Sequence, residues 1–274
     1  MENPQNSAND TSKEDQSVDT VLFDIKDKIA TITINRPEKR NALRMEEFEK
    51  LIEFIQAADS DSNVHVIRIR SSGDRAFSAG LDLNMLQELS TEREEVEKLL
   101  QLSENTVRTF LKSKKPIVNQ VQGPAVAWGT ILCLAADFVI AGDNPRTFFN
   151  LPEIDLGMFP ASGALTMALL KTGFAAAKKI LMIPERIPLE RAEQLGIVSK
   201  RCSLDSLEQI TIEFCKNLAS KSQSILYLIK SLVNNFQFGD FDSYIDKEGK
   251  ALEFAMYGDS TKIDEFIKKM WNTI

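Results

Sequence analysis

The spacing of apolar positions along the chain first alternates between strand and helix patterns. Runs typical of β-strands occupy 21–25, 29–34, 64–70, 116–121 and 138–141. Between them, apolar residues recur at helical spacing over 45–58, 82–89, 94–111 and 128–136. Alternation of this kind predicts an α/β layer built from crossover units, with the first two strands joined as a hairpin through 26–28.

The chain after Gly163 has a different pattern and is predicted to be almost wholly helical. Helical spacing extends over 163–171, 174–182, 189–195, 204–220, 222–236, 240–257 and 259–271. Residues 1–17 contain no Leu, Ile, Val, Phe, Tyr or Trp, which predicts a disordered tail. We therefore expect a tail over 1–17, an α/β core over 18–200 and a helical region over 201–274.

Composition narrows the possible functions. The net charge of −7 argues against a nucleic-acid partner, which a basic surface would attract. The longest uncharged stretch, 116–136, contains too many polar residues and prolines for a membrane helix. A single histidine, His65, and three cysteines without a CxxC pair favour neither a metal site nor a histidine-dependent nucleophile. We expect His65 to be structural, and a cytoplasmic location because targeting patterns are missing.

Two segments place a helix start directly after a strand and a turn of small residues. They are 77–83, FSAGLDL, and 121–129, VQGPAVAWG. Backbone N–H groups at a helix start have no partner within the helix and lie at the positive end of its dipole. Each segment alone fits an ordinary strand-to-helix turn. Two such starts can also converge on one oxygen and form an oxyanion hole, in which each donor is worth about 3–4 kcal/mol in the transition state.

The order of several segments resembles the crotonase superfamily of enoyl-CoA hydratases and isomerases. The resembling segments are 34–43 (INRPEKRNAL), 77–83, 123–129, 151–157 (LPEIDLG) and 189–199. The resemblance covers about 18–271 and is closest in motif to the Δ3,Δ2-enoyl-CoA isomerase branch. It implies a repeated ββα spiral core followed by a helical trimerisation region. It also implies an acyl-CoA substrate and no separate cofactor, since coenzyme A is part of the substrate.

Site residues follow from this resemblance by position. The main-chain N–H groups of Leu81 and Trp128 would form the oxyanion hole, and Glu153 would be the catalytic residue. The residues implied to bind coenzyme A and substrate are Lys39, Arg40, Ala42, Ala79, Gly80, Asp82 and Leu83. We also expect an apolar acyl pocket formed by Ile131, Phe149, Leu151 and Phe159. Lys39 and Arg40 equally fit a solvated charge run. Residues 127–129 (AWG) stand where many members have a glycine-rich run, so the ring of Trp128 either narrows the pocket or turns away.

The number of carboxylates indicates the reaction. Family hydratases use two glutamates, of which the first lies three residues after the second oxyanion donor, and here that position is Ile131. Glu153, the second, is present. One carboxylate suits a Δ3–Δ2 isomerase, in which it takes a proton from C2 and returns it at C4. An apolar pocket around Glu153 would raise its proton affinity.

Other functions stay open at this stage, because the superfamily varies its chemistry on one fold. They are a hydratase with an altered mechanism, a hydrolase of CoA thioesters or C–C bonds, and a non-catalytic binding module. The resemblance also implies a homotrimer or homohexamer. The apolar faces of 225–238 and 254–271 are wide enough for subunit contacts, but they fit packing within one subunit as well.

Overall fold

The computed structural model describes residues 19–89, 92–238 and 241–271, so the predicted tail lies outside the described residues. The strands are β1 (Val21–Lys26), β2 (Ile29–Ile34), β3 (Val66–Ser71), β4 (Ile117–Val121), β5 (Ala125–Val126), β6 (Phe138–Asp143), β7 (Phe148–Asn150), β8 (Ile187–Pro188) and β9 (Lys200–Ser203). The helices are α1 (Met45–Ser60), α2 (Leu83–Leu89), α3 (Arg93–Lys112), α4 (Trp128–Ala135), α5 (Ala164–Thr172), α6 (Phe174–Met182), α7 (Leu189–Gln194), α8 (Leu207–Ala219), α9 (Gln223–Phe238), α10 (Phe241–Tyr257) and α11 (Ile263–Trp271).

The main sheet has the strand order β1-β2-β3-β4-β6-β9. β1 and β2 form the predicted antiparallel hairpin, whose turn residues Asp27 and Lys28 have φ values of 52° and 66°. Two consecutive residues of positive φ give a turn whose twist matches that of the strands. The remaining neighbours are parallel and are joined by crossover helices. The predicted α/β layer is confirmed.

Very short strands account for the main differences from the sequence prediction. β5, β7 and β8 form a second sheet that was not predicted, and β9 adds a strand beside β6. The region after Gly163 is almost wholly helical, as predicted, with β8 and β9 as the exceptions. Through β9 the main sheet continues to Ser203, past the expected core boundary at 200. Strands of two to four residues are too short to show a period-2 pattern, which is why they escaped detection.

Both faces of the main sheet are covered. Ile67 and Ile69 of β3 pack into the larger apolar core with α1, α3 and α4, whereas Val66 faces α8 on the other side. α4 is buried along its whole length, as expected for a helix without charged residues. His65 precedes β3, and its Nδ1 lies 2.9 Å from the carbonyl oxygen of Ala219, which is a structural contact between β3 and α8.

Candidate active site

The first helix start, 77–83, is held by an isolated parallel bridge between Leu43 and Leu81. The N–H of Leu43 donates to the carbonyl of Gly80 at 2.8 Å, and that of Asp82 donates to the carbonyl of Leu43 at 2.9 Å. These bonds fix the chain on both sides of Leu81. No acceptor in the described part of the chain takes the N–H of Leu81 itself. A backbone donor is thus held in place and left available.

The second helix start lies at the junction of β5 and α4. The N–H of Ala127 donates to the carbonyl of Asn150 at 2.8 Å, and the carbonyl of Ala127 accepts from Thr130 and Ile131. Ala127 itself has φ 48° and ψ −117°, a conformation that glycine adopts more readily than alanine. Within the described residues, the N–H of Trp128 also has no acceptor. The first turn of α4 therefore presents a second free donor.

Two glycines bring these helix starts together. A Cβ on Gly80, whose φ is 92°, would lie 2.9 Å from the carbonyl oxygen of Val126 and 3.2 Å from the nitrogen of Trp128. A Cβ on Gly129 would lie 2.5 Å from the carbonyl oxygen of Ser78. Only glycine permits contacts this close between backbones. The free donors of Leu81 and Trp128 consequently lie on neighbouring segments, as an oxyanion hole requires.

A cavity of about 540 Å³ opens beside both donors. Its lining combines the two helix starts with residues from 38–42, 75 and 152–162, and one residue of α10. The lining residues are Glu38, Lys39, Arg40, Ala42, Arg75, Ala79, Leu81, Asp82, Leu83, Asn84, Leu86, Val126, Ala127, Trp128, Ile131, Pro152, Glu153, Leu156, Met158, Phe159, Ala161, Ser162 and Leu252. Of the residues implied by the family resemblance, this cavity lacks Gly80, Phe149 and Leu151.

Those three residues have other roles. Gly80 supplies the close backbone approach, whereas Phe149 and Leu151 are buried in the apolar core. Phe149 belongs to β7 and pairs with Ile187 of β8, so its side chain packs within the fold instead of facing the cavity. The apolar wall is instead supplied in part by Leu86, Met158 and Leu252, which were not predicted as site residues. Helical spacing places Leu86 on the apolar face of a helix, but it does not indicate that this face borders the cavity.

Of the two alternatives for the Trp128 ring, the structure shows the second: the ring turns away into the core. The side chain is 4% exposed and packs edge-to-face on Phe48, with ring centroids 4.7 Å apart. The ring therefore anchors the start of α4 in the core, while part of the residue still borders the cavity. Such aromatic pairs add about 0.5–1.5 kcal/mol beyond the burial of area.

Glu153 begins a 3-10 helix, Glu153–Leu156, that ends at Gly157 with φ 69°. The side chain is half-buried, and its Oε2 is buried without a hydrogen-bond partner. Burial raises the pKa of Glu153 from an ordinary value of 4.5 to about 7. A carboxyl group with such a pKa can both accept and return a proton at neutral pH.

The other carboxylates at the cavity are placed differently. Asp82 is buried but pairs with the guanidinium of Arg36 at 2.9 Å. Burial acts to raise the pKa of Asp82, but the hydrogen bond and charge of Arg36 outweigh it and hold that pKa below its usual value. Glu38 is exposed. Ile131, three residues after Trp128, is buried and apolar. Among the described lining residues, Glu153 is therefore the one carboxylate with a buried oxygen that has no partner.

Several cationic residues line this cavity and the cleft beside it. Lys39, Arg40 and Arg75 are exposed and line the cavity. Arg40 and Arg75 also line an adjoining cleft of about 320 Å³ together with Arg146. Within the described part of the chain, none of these four cations has a carboxylate within ion-pairing distance, and no acidic residue lines the adjoining cleft. The arrangement suits an anionic group of a ligand.

Comparison with known proteins agrees with this geometry. The enoyl-CoA hydratase/isomerase family model matches residues 24–262. The chain is 30% identical over 231 residues to the trans-2-decenoyl-(acyl-carrier-protein) isomerase of Streptococcus mutans, covering 83% of this chain and 86% of that protein. It is 28% identical to the crotonyl-CoA hydratase of Syntrophomonas wolfei, covering 92% of this chain and 96% of that protein.

Solved structures give the same result. The crystal structure of an enoyl-CoA hydratase/isomerase from Xanthobacter autotrophicus has a TM-score of 0.76 and 27% identity, with 88% of each chain covered. The chain therefore belongs to the enoyl-CoA hydratase/isomerase family, within the crotonase superfamily. It has the α/β core and helical C-terminal region of that fold, and it is an enzyme of that family. No helix within the described residues has both the length and the apolar character needed to cross a membrane.

Proposed function

We propose that the protein is an enoyl-CoA isomerase that moves a double bond from C3–C4 to C2–C3 of an acyl-CoA thioester. The observation that carries the proposal is a buried carboxylate oxygen without a partner, Oε2 of Glu153, the single one within the described residues. It lies beside a cavity in which Ile131 stands where hydratases have their other glutamate. Moving a proton from one carbon to another requires one base, whereas hydration by the family's usual route requires two acidic groups.

The chemistry would run between the two helix starts and Glu153. The thioester oxygen accepts from the free N–H groups of Leu81 and Trp128, which stabilise the enolate that forms when C2 loses its proton. Glu153 takes this proton and returns it at C4. A pKa of about 7 matches the carboxyl group to both steps, because the acid and the base form are both populated at neutral pH.

The nucleotide end of coenzyme A would lie toward Lys39, Arg40 and Arg75. These exposed cations have no carboxylate partner among the described residues, and coenzyme A carries phosphate groups that guanidinium binds well. The Asp82 carboxylate accepts from Arg36, which also donates to the carbonyl of Ala42, so Asp82 is engaged within the protein and is not assigned to coenzyme A. The same proposal includes a homotrimer or a dimer of trimers, supported by the exposed apolar residues Ile225, Leu228, Ile229 and Leu232 of α9.

A hydratase is the second candidate. It is supported by similarity to the crotonyl-CoA hydratase of Syntrophomonas wolfei, at 28% identity. In that case Glu153 alone would have to activate water and also control delivery of the proton.

One assay separates the two candidates. A 3-enoyl-CoA and the 2-enoyl-CoA of the same length are incubated with the enzyme in parallel, and the products are followed by absorbance and mass. We expect conversion of the 3-enoyl substrate to the conjugated product. When that substrate carries deuterium at C2, part of the deuterium should be recovered at C4. Formation of 3-hydroxyacyl-CoA from the 2-enoyl substrate at a comparable or greater rate would instead establish the hydratase.

A further inference from the structure

α10 contributes one wall of the cavity. Leu252 is the lining residue that comes from the helical C-terminal region, and only 9% of it is exposed. It borders the same cavity as Met158, Phe159 and Ala161, which follow Glu153 in sequence. The part of the cavity built by these residues is apolar, in contrast to the cationic lining at Lys39, Arg40 and Arg75. The acyl chain therefore has an apolar wall, part of which belongs to α10.

A buried carboxylate fixes the position of α10. Glu248 is 3% exposed, and its Oε2 accepts from the N–H of Gly163 at 2.8 Å. Its Oε1 accepts from the N–H of Thr166 at 2.8 Å and from the Thr166 hydroxyl. These donors belong to the first turn of α5, so a residue of α10 caps another helix. Glu248 and Leu252 are four residues apart and share one face of α10.

The segment capped by Glu248 is itself part of the cavity wall. Ser162 lines the cavity, and both Ser162 and Gly163 have positive φ, 57° and 88°. A Cβ on Gly163 would lie 3.6 Å from Cδ1 of Ile245, another residue on this face of α10. The turn at 162–163 thus lies beside α10 and is hydrogen-bonded to it through Glu248. Movement of α10 along its axis would break the cap and move Leu252 at the same time.

The polar group at this wall is already engaged. The hydroxyl of Ser162 lies 2.6 Å from that of Ser103, which donates to the carbonyl of Leu100 at 2.8 Å. Ser162 then donates to Ser103, so its hydroxyl has no hydrogen left to donate to a ligand. A charged or strongly polar acyl terminus would lose its hydration beside these apolar side chains without gaining a partner from that hydroxyl.

We propose that Leu252, held in place by Glu248, determines which acyl chains the cavity accepts, and that these are uncharged aliphatic chains of limited length. The inference rests on the proposed function for the identity of the reaction, but not for the shape of the cavity. Leu252 acts as a specificity-determining residue, and Glu248 as a positioning residue that acts through Leu252 and the 162–163 turn.

The test measures chain-length profiles for the full-length enzyme and for Leu252→Ala and Leu252→Phe. One profile is kcat/KM over a series of straight-chain 3-enoyl-CoA substrates, and the other is the Kd for saturated acyl-CoA of the same lengths. We expect Leu252→Ala to move both optima to longer chains and Leu252→Phe to shorter ones, by about tenfold per methylene at the affected lengths. Leu22→Ala, an identical change at a residue of β1 that is 41% exposed and does not line the cavity, should leave both profiles unchanged.

Variants of Glu248 and a substrate with a charged acyl end provide two further tests. Glu248→Gln should flatten both profiles, with KM affected more than kcat for the shortest substrate, while Glu248→Asp partly restores them. An acyl chain ending in a carboxylate should bind more weakly than an uncharged chain of equal length. The inference is overturned if folded Leu252 variants, in both directions of size, keep the wild-type profiles. If the binding profile shifts but no isomerisation occurs, the proposed reaction fails and the inference stands.

Discussion

Two buried carboxyl groups lie in different regions of the molecule and invite comparison. Burial raises the pKa of both Glu153 and Glu248 to about 7. Glu153 borders the cavity with an oxygen that has no partner, whereas both oxygens of Glu248 accept hydrogen bonds from the first turn of α5. A raised pKa therefore reports burial alone. The hydrogen-bond partners distinguish a group that is available for proton transfer from one that holds two helices together.

The largest expected difference concerns turnover. Glu153→Gln removes the base but keeps the shape, and we expect the isomerase kcat to fall by about 10²–10⁴-fold. Glu248→Gln should leave kcat for a short substrate within a small factor of wild type. Asp155→Asn, two residues away and exposed, is the matched control for a change of charge. Equal losses in Glu153→Gln and Asp155→Asn would contradict the assignment of the base.

The next difference concerns stability. Glu248→Ala leaves the donors of Gly163 and Thr166 without their acceptor, so we expect the free energy of unfolding to fall by about 2 kcal/mol. Glu153→Gln removes a buried carboxylate that has an unpartnered oxygen, so stability should stay constant or increase. Denaturant titration of both variants measures these values. A greater loss of stability in Glu153→Gln than in Glu248→Ala would contradict this distinction between the two carboxyl groups.

The smallest effect concerns pH. Glu153 must be ionised to take a proton, so kcat/KM should rise with pH up to about 7 and then level off. Glu248→Gln should keep this profile. Stability has the opposite dependence on pH. Between about pH 4.5 and pH 7 the folded state binds more protons than the unfolded state, because burial raises the pKa of Glu153 and Glu248. The free energy of unfolding should therefore fall as pH rises through that range. A kcat/KM independent of pH between 5 and 8 would remove Glu153 from the proposed role.

The sequence predicted those parts of the site that depend on local backbone patterns. The helix starts at 83 and 128 follow small-residue turns, and both are present with free N–H groups. Sequence-based prediction failed for positions at which tertiary packing decides where the side chain points. Leu151 was expected to line the acyl pocket, but it packs in the core. Leu252 and Glu248 lie about a hundred residues from Glu153, and no local pattern indicates that α10 reaches the cavity.

The two donors that face the cavity are main-chain groups, and this affects how the enzyme can vary. Almost any side chain at positions 81 and 128 leaves an amide hydrogen in place, so a point substitution that preserves the backbone does not delete either donor. Proline is the exception because it has no amide hydrogen. Under the proposed function, the remaining side chains of the cavity could therefore diverge toward new substrates while the two amide donors to the enolate are inherited intact.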